Sequence, residues 1–263
     1  MTAKPHTGRG VWITGYNPVK EALGSAGSLP NELLLARNDQ RAAELAAMAG
    51  ERGVTVRRET FEALSTLVGH AHHQGIALRT PQFLYAPLET FLQRPSEQRQ
   101  PLLALDSVQD PQNLGALIRS ACFLGAAGMI LTKDRAAGIS STVIKIASGG
   151  VAHLPVIQVV NLAQSLERLK ESGLWIVGLD LAGARDLYDT DLTVPLTLVV
   201  GNEQKGLRPL VRKHCDLLVH IPASGPIQSL NAATAGAIAL AEVQRQQRTA
   251  KKEASSRRGR YQS

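Results

Sequence analysis

A chain of 263 residues with 44% hydrophobic content is long enough for one large α/β domain or two smaller ones, each with an ordinary packed core. No apolar run reaches the length of a membrane span, and the polar start Met1 to Gly10 lacks the hydrophobic region of a signal peptide, so a cytoplasmic protein is expected. The net charge of +7 suggests nucleic acid, but seven Lys/Arg against the single acid Glu253 between Arg245 and Ser263 supply +6 of it, leaving a nearly neutral body.

Residues 11 to 80 read as a small α/β unit. An apolar start at Val11-Trp12-Ile13 leads into a helix from Asn17-Pro18 through Leu23 and a strand at 32–35. An alanine-rich helix at 40–49, a strand at 54–56, a helix near 61–68 and a strand at 75–78 follow. Prolines at 81, 87, 95 and 101, around the polar run Gln93 to Gln100, mark a linker. The expected division is 1–80, linker 81–100, a second domain 101–247, and a disordered basic tail 248–263.

From Pro101 strands are expected near 102–106, 128–132, 156–160, 174–180, 196–200 and 217–221. Helices near 111–125, 141–149, 162–172, 207–214 and 229–247 fill the intervals, which predicts a doubly wound, mostly parallel sheet. Ligands of such sheets sit beyond the carboxyl ends of the strands, so the loops after 106, 180, 200 and 221 are where chemistry belongs.

Three of these loops carry suggestive residues. In the first, Asp110-Pro111 is a helix start, the acid capping and the proline filling the first helical position, while Asn113 and Arg119 go beyond what capping needs. Arg119 as a structural ion-pair partner is the plain alternative. In the second, an apolar strand ends at Gly201 and Glu203 then stands at the strand end. It is no phosphate-cradling loop, because Gly206 is followed by Leu207 rather than Lys, and no dinucleotide-binding glycine pattern follows the first strand of either domain. In the third, Ile221-Pro222 opens a polar loop in which Ser229 and Asn231 precede an Ala/Gly-rich helix. Helix-start N–H groups there are expected to face a ligand, and taken alone both residues read as caps.

Cys122 and Cys215 sit singly and read as reduced thiols. His70, His72 and His73 cluster without a fourth ligand at a usual spacing, so no metal is expected, and His73 is read as helping to position RNA.

The ordered set D-P-x-N-x-G-x-x-x-R, G-N-E-x-x-G-L and I-P-x-x-G-x-x-x-S-L-N, spanning 102–245, resembles the three motifs of the SpoU (TrmH) branch of the SPOUT RNA methyltransferases. Gly15 to Leu23 and His73-Gln74-Gly75-Ile76 resemble the ribosomal-protein-L30-like RNA-binding domain of the RlmB group, the 23S rRNA guanosine 2′-O-methyltransferases. The resemblance implies a C-terminal trefoil knot, a homodimer, S-adenosyl-L-methionine as cofactor and RNA, 23S rRNA first, as substrate. It implies that Asn113, Arg119, Glu203, Ser229 and Asn231 form the polar active site and that Gly201, Ile221 and Leu230 line the cofactor through backbone groups. It assigns Arg119 to activation of the ribose hydroxyl; a guanidinium with a pKa above about 12 is a poor base, and a hold on the phosphate is the other reading. Ala223 stands where many members have methionine, and Pro226-Ile227-Gln228 is not the commonest filling before Ser-Leu-Asn. A tRNA or other rRNA 2′-O-methyltransferase, and a non-catalytic RNA-binding or ribosome-assembly protein on the same scaffold, are the alternatives.

Overall fold

The computed structural model describes residues 10–24, 30–81, 83–93 and 100–260, with side chains beyond residue 253 left aside. Most of the linker run around Pro95 and the last three residues of the tail lie outside the described residues. The chain divides into two compact units, one of residues up to Leu84 together with Ile139–His153, the other of Tyr85–Gly138 and Leu154 onward.

The first unit is built from β1 (Gly10–Thr14), α1 (Tyr16–Gly24), β2 (Glu32–Leu35), α2 (Gln40–Glu51), β3 (Thr55–Arg58), α3 (Phe61–Val68) and β4 (Ile76–Pro81). Its sheet runs β1-β4-β2-β3, with β4 antiparallel to both neighbours and β2 parallel to β3. Asp39 and Thr60 cap α2 and α3 by accepting the backbone N–H groups of Ala42 and Ala63. The core gathers Ile13, Val19, Leu33, Leu35, Leu45 and Ile76 between the sheet and helices α1 and α2.

His73, expected to help position RNA, is fully buried, so its side chain shapes the turn instead of meeting RNA directly. Its Nδ1 accepts the Gly75 N–H at 3.0 Å, so that nitrogen carries no proton, and Nε2–H points at Ser65 Oγ, 2.8 Å away. The imidazole thus holds the turn at Gln74 and Gly75, both at positive φ, where β4 begins. Burial, with a smaller contribution from His70, holds its pKa below the ordinary 6.5. The unfolded chain therefore binds a proton that the folded unit refuses, and stability is full above about pH 6.5 and falls as the pH drops toward the lowered folded value. Urea unfolding of the wild-type protein at pH 7.5 and 5.5 is expected to show this loss, and His73→Gln to reduce the difference between the two pH values.

The second unit opens with α4 (Glu89–Leu92), then β5 (Leu102–Leu105), α5 (Pro111–Phe123) and β6 (Gly128–Thr132). Next come α6 (Ser141–Ala147) and α7 (Gly150–His153), which group with the first unit, Ile144 packing against that unit's core. One helix over 141–149 was expected within the second domain. Instead the chain breaks at Ser148 and Gly149, both at positive φ, and its apolar face is buried elsewhere.

The remaining elements are β7 (Val156–Val159), α8 (Leu162–Glu171), β8 (Trp175–Leu179), β9 (Arg185–Asp186), β10 (Leu196–Val200), α9 (Pro209–His214), β11 (Leu217–His220) and α10 (Ala232–Arg260). They complete a seven-stranded parallel sheet of order β7-β6-β5-β10-β8-β11-β9. Strands β5, β6 and β10 are apolar at nearly every position because helices or loops cover both faces, as a parallel sheet requires. Successive strands leave β5 toward β6 and β7 on one side, while β10, β8 and β11 lie on the other. The crevice where the two directions part, at the carboxyl ends of β5 and β10, is the expected ligand position.

Helix α10 starts three residues later than expected and runs to Arg260 instead of yielding to a disordered tail at 248. Its small residues let it approach α5 and β10 closely: a Cβ on Gly236 would lie 2.6 Å from Leu117 Cδ2 and 3.2 Å from Val200 Cγ2. Among the described residues no helix is long and apolar enough to cross a membrane.

Candidate active site

The first loop leaves β5 at Asp106, which is fully buried. Its carboxylate accepts the Arg208 backbone N–H at 2.7 Å and Arg208 Nε–H at 2.6 Å, tying the β5 end to the start of α9 across 102 residues. A buried carboxylate is tolerated only when paired in this way. Asp110 then caps α5 by accepting the Gln112 N–H at 2.9 Å, and Pro111 fills the first turn. This start turns Asn113 onto the buried face of the helix beside Leu114 and Leu117, where it is 6% exposed.

The second loop turns sharply. Asn202 N–H donates to Gly206 O and Gly206 N–H to Asn202 O, at 3.0 and 2.9 Å, closing the loop on itself. A Cβ on Gly201 would lie 2.3 Å from Gly206 C, so glycine is required by the loop's own backbone as well as by any ligand. Asn202 Oδ1 accepts the N–H groups of Gln204 and Lys205, and its amide donates to Ser107 O at 2.9 Å and to Glu203 Oε2 at 3.2 Å. Loops one and two are thereby locked together.

The third loop completes the constellation. Asn231 Oδ1 accepts the Ala233 and Thr234 N–H groups at 2.8 and 3.3 Å, which makes Asn231 the cap of α10. Those helix-start N–H groups are used internally, contrary to the expectation that they face a ligand. The other end of the same carboxamide donates to Asn113 Oδ1 at 2.7 Å, and Asn113 Nδ2 donates to Glu203 Oε1 at 2.6 Å. One continuous hydrogen-bond chain, Asn231 to Asn113 to Glu203, fixes both amide orientations and aims the carboxylate.

Beside this chain lies a cleft of about 440 Å³, lined by Gly201, Glu203, Ile221, Ser229 and Leu230 among others. Ser229 and Leu230 line it from the exposed segment before α10. Arg119 lies elsewhere, exposed on α5 and outside the cleft lining. Apolar walls from Leu179, Leu207 and Val219 suit a flat heterocycle, and the carboxylates of Asp180 and Glu203 suit a cationic centre. Asp180 is itself held by Arg212 at 3.1 Å.

Sequence reading passed over Asn202, Asp106 and Arg208. Asn202 sits within the second motif between Gly201 and Glu203, a usable signal; the pairing of Asp106 with Arg208 leaves no local trace. Cys122 and Cys215 are free, and burial pushes the Cys215 thiol up to about 12, so it stays protonated and inert. No group of three or more His, Cys, Asp or Glu that could hold a metal occurs among the described residues.

The profile of the SpoU rRNA Methylase family matches residues 100–241, and that of the RNA 2′-O ribose methyltransferase substrate-binding domain matches 12–86. A 23S rRNA (guanosine-2′-O-)-methyltransferase RlmB of Xylella fastidiosa is 38% identical over 244 residues, covering 89% of this chain and 96% of the relative. The AdoMet-bound rRNA methyltransferase from Sinorhizobium meliloti superposes with a TM-score of 0.72 at 28% identity, over 90% of this chain and 87% of that one. The SpoU methyltransferase AviRb from Streptomyces viridochromogenes, in complex with AdoMet, gives 0.71 at 27% identity over 90% of each chain.

A parallel α/β unit with its polar site at the switch point, joined to a substrate-binding unit, thus defines an RNA methyltransferase. More particularly, the chain belongs to the SpoU rRNA methylase family.

Proposed function

We propose that this enzyme transfers a methyl group from S-adenosyl-L-methionine to the ribose 2′-hydroxyl of a guanosine in 23S rRNA, in the cytoplasm and as a homodimer. The observation that carries this reading is the Asn231–Asn113–Glu203 hydrogen-bond chain at the rim of the cleft. The relative named for that substrate is matched along nearly its whole length, substrate-binding region included.

The cofactor supplies an electrophilic methyl on a sulfonium. Gly201, Ile221 and Leu230 would hold it through backbone groups along the apolar wall. The reaction forms a bond from the 2′-oxygen to the methyl carbon, breaks the carbon–sulfur bond and releases the hydroxyl proton. What the protein must provide is alignment of that oxygen and an outlet for the proton. Asn113 and Asn231, their amides locked by each other and by Glu203, orient the ribose. Ser229 would hold the adjoining phosphate together with Arg119 of the partner subunit, a task suited to a guanidinium.

Arg119 and Phe123, the latter 88% exposed, lie one turn apart on α5. A second copy seated there would cover the ring and bring each arginine toward a site, which supports the homodimer. The trefoil knot is proposed from membership of the SpoU rRNA methylase family.

Incubation with S-adenosyl-L-methionine labelled in its methyl group, followed by alkaline hydrolysis of the RNA, tests the reaction. Label retained in alkali-resistant dinucleotides is expected, because a methylated 2′-oxygen cannot attack its phosphate. Label released as free mononucleotides would place the methyl on a base and refute the reading.

A further inference from the structure

The expected disordered tail is instead the outer part of a long helix. Two glutamines hold α10 against the 190–194 segment. Gln246 Nε2 donates to Thr190 O at 3.0 Å and its Oε1 accepts the Leu192 N–H at 2.8 Å. Gln247 donates to Leu192 O and Val194 O at 3.3 and 3.1 Å and is buried. At 100° per residue these glutamines lie on one side of the helix, Arg245, Arg248 and Lys252 fall on a stripe turned away from them, and Lys251, one turn after Gln247, lies on the flank between the two sides, about 60° from Arg248.

The stripe is unequally paired. Arg245 is engaged by Glu242 through two hydrogen bonds of 2.8 and 2.7 Å. Arg248, Lys251 and Lys252 are exposed and have no carboxylate within ion-pair distance among the described residues. Glu253 lies roughly a quarter-turn off the stripe. Three unpaired cations on a backbone fixed by buried side chains form a preorganised anionic contact, unlike a tail in which the same charges would be held in no particular direction.

We propose that the stripe residues Arg248 and Lys252, with Lys251 on their flank, form a phosphate-backbone contact for the substrate RNA, separate from the methyl-transfer site. Charge complementarity selects the occupant: evenly spaced phosphates are the polyanion that an RNA-modifying enzyme meets in every turnover, and point charges on flexible stems read phosphate without sequence preference. The inference rests on the RNA methyltransferase reading above only for the identity of the polyanion.

The test compares the full-length wild-type enzyme with the triple variant Arg248→Ala/Lys251→Ala/Lys252→Ala and with the charge-keeping variant Arg248→Lys/Lys251→Arg/Lys252→Arg. The probe is an unmodified 23S rRNA transcript, with Kd measured by fluorescence anisotropy between 50 and 300 mM salt. Loss of three phosphate contacts is expected to reduce the slope of log Kd against log salt by about 2–3. It is also expected to weaken binding about tenfold or more near physiological salt, with the charge-keeping variant close to wild type. Calorimetric binding of S-adenosyl-L-methionine and the thermal midpoint should be the same in all three proteins.

An unchanged slope and Kd in the alanine variant would overturn the proposal and leave the stripe as solubilising charge. Equal loss in the charge-keeping variant would overturn it too, pointing to helix packing instead. If the wild type binds the transcript without methylating it while the alanine variant binds more weakly, the stripe stands and the substrate assignment fails; methylation with identical binding by all three gives the reverse.

Discussion

Asn113→Ala is expected to lower single-turnover methyl transfer by about 10²–10³-fold, the usual effect of deleting one preorganised polar group from a transfer site. Asn113 is the middle link of the site: its carbonyl oxygen receives Asn231 and its amide donates to Glu203. Truncation strands the Asn231 amide and releases one Glu203 oxygen, so two groups lose their orientation along with the one removed. Leaving buried polar groups unmet costs about 1–3 kcal/mol, enough to lower the thermal midpoint without unfolding the protein. Binding of S-adenosyl-L-methionine should fall much less than the rate, since the proposed cofactor wall, Gly201, Ile221 and Leu230 of the cleft lining, does not include Asn113. A rate near wild type on saturating RNA would show that the carboxamide chain is structural only.

Gly201→Ala is expected to abolish measurable cofactor binding. The added methyl would meet Gly206 C at 2.3 Å, Gly206 O at 2.6 Å and Leu207 N at 2.6 Å, all backbone atoms that no side-chain rotation can move aside. The loop from Asn202 to Gly206 must open, which breaks its two mutual backbone bonds and draws Glu203 away from Asn113. Cofactor wall and carboxylate are thus lost together. Calorimetry checks this directly: affinity within about threefold of wild type would mean that the loop tolerates the shift. Gly206, at φ 63° with open space around it, should show strain alone when replaced by alanine.

Much of this arrangement is legible in the residues themselves. The apolar runs at 102–105, 128–132 and 196–200 announce buried parallel strands, and Asp110-Pro111 announces the start of α5. Asn113, Glu203 and Asn231 stand out only as an ordered set across three loops, because each alone passes for a cap or a surface acid. The bonds that join them span 90 and 118 residues, and no local periodicity encodes a pairing at that distance. The same holds for buried Asp106 with Arg208 and for α6, whose amphipathic pattern says that one face is buried but not against which unit. His73 shows the limit from the other side: a histidine in a polar run looks accessible, and only the fold reveals Ser65 and Gly75 engaging both ring nitrogens. The tail differs for a related reason. Its charge suits a solvated coil, while the glutamine contacts that carry the helix past residue 247 reach a segment more than fifty residues upstream.

The most direct test of the assigned reaction is to incubate the purified enzyme with S-adenosyl-L-methionine and unmodified 23S rRNA and to map every new methyl by nuclease digestion and mass spectrometry. A single 2′-O-methylguanosine in 23S rRNA is the predicted result. A methyl on a base, a 2′-O-methyl on tRNA with none on 23S rRNA, or no transfer from an enzyme that binds the cofactor would contradict it.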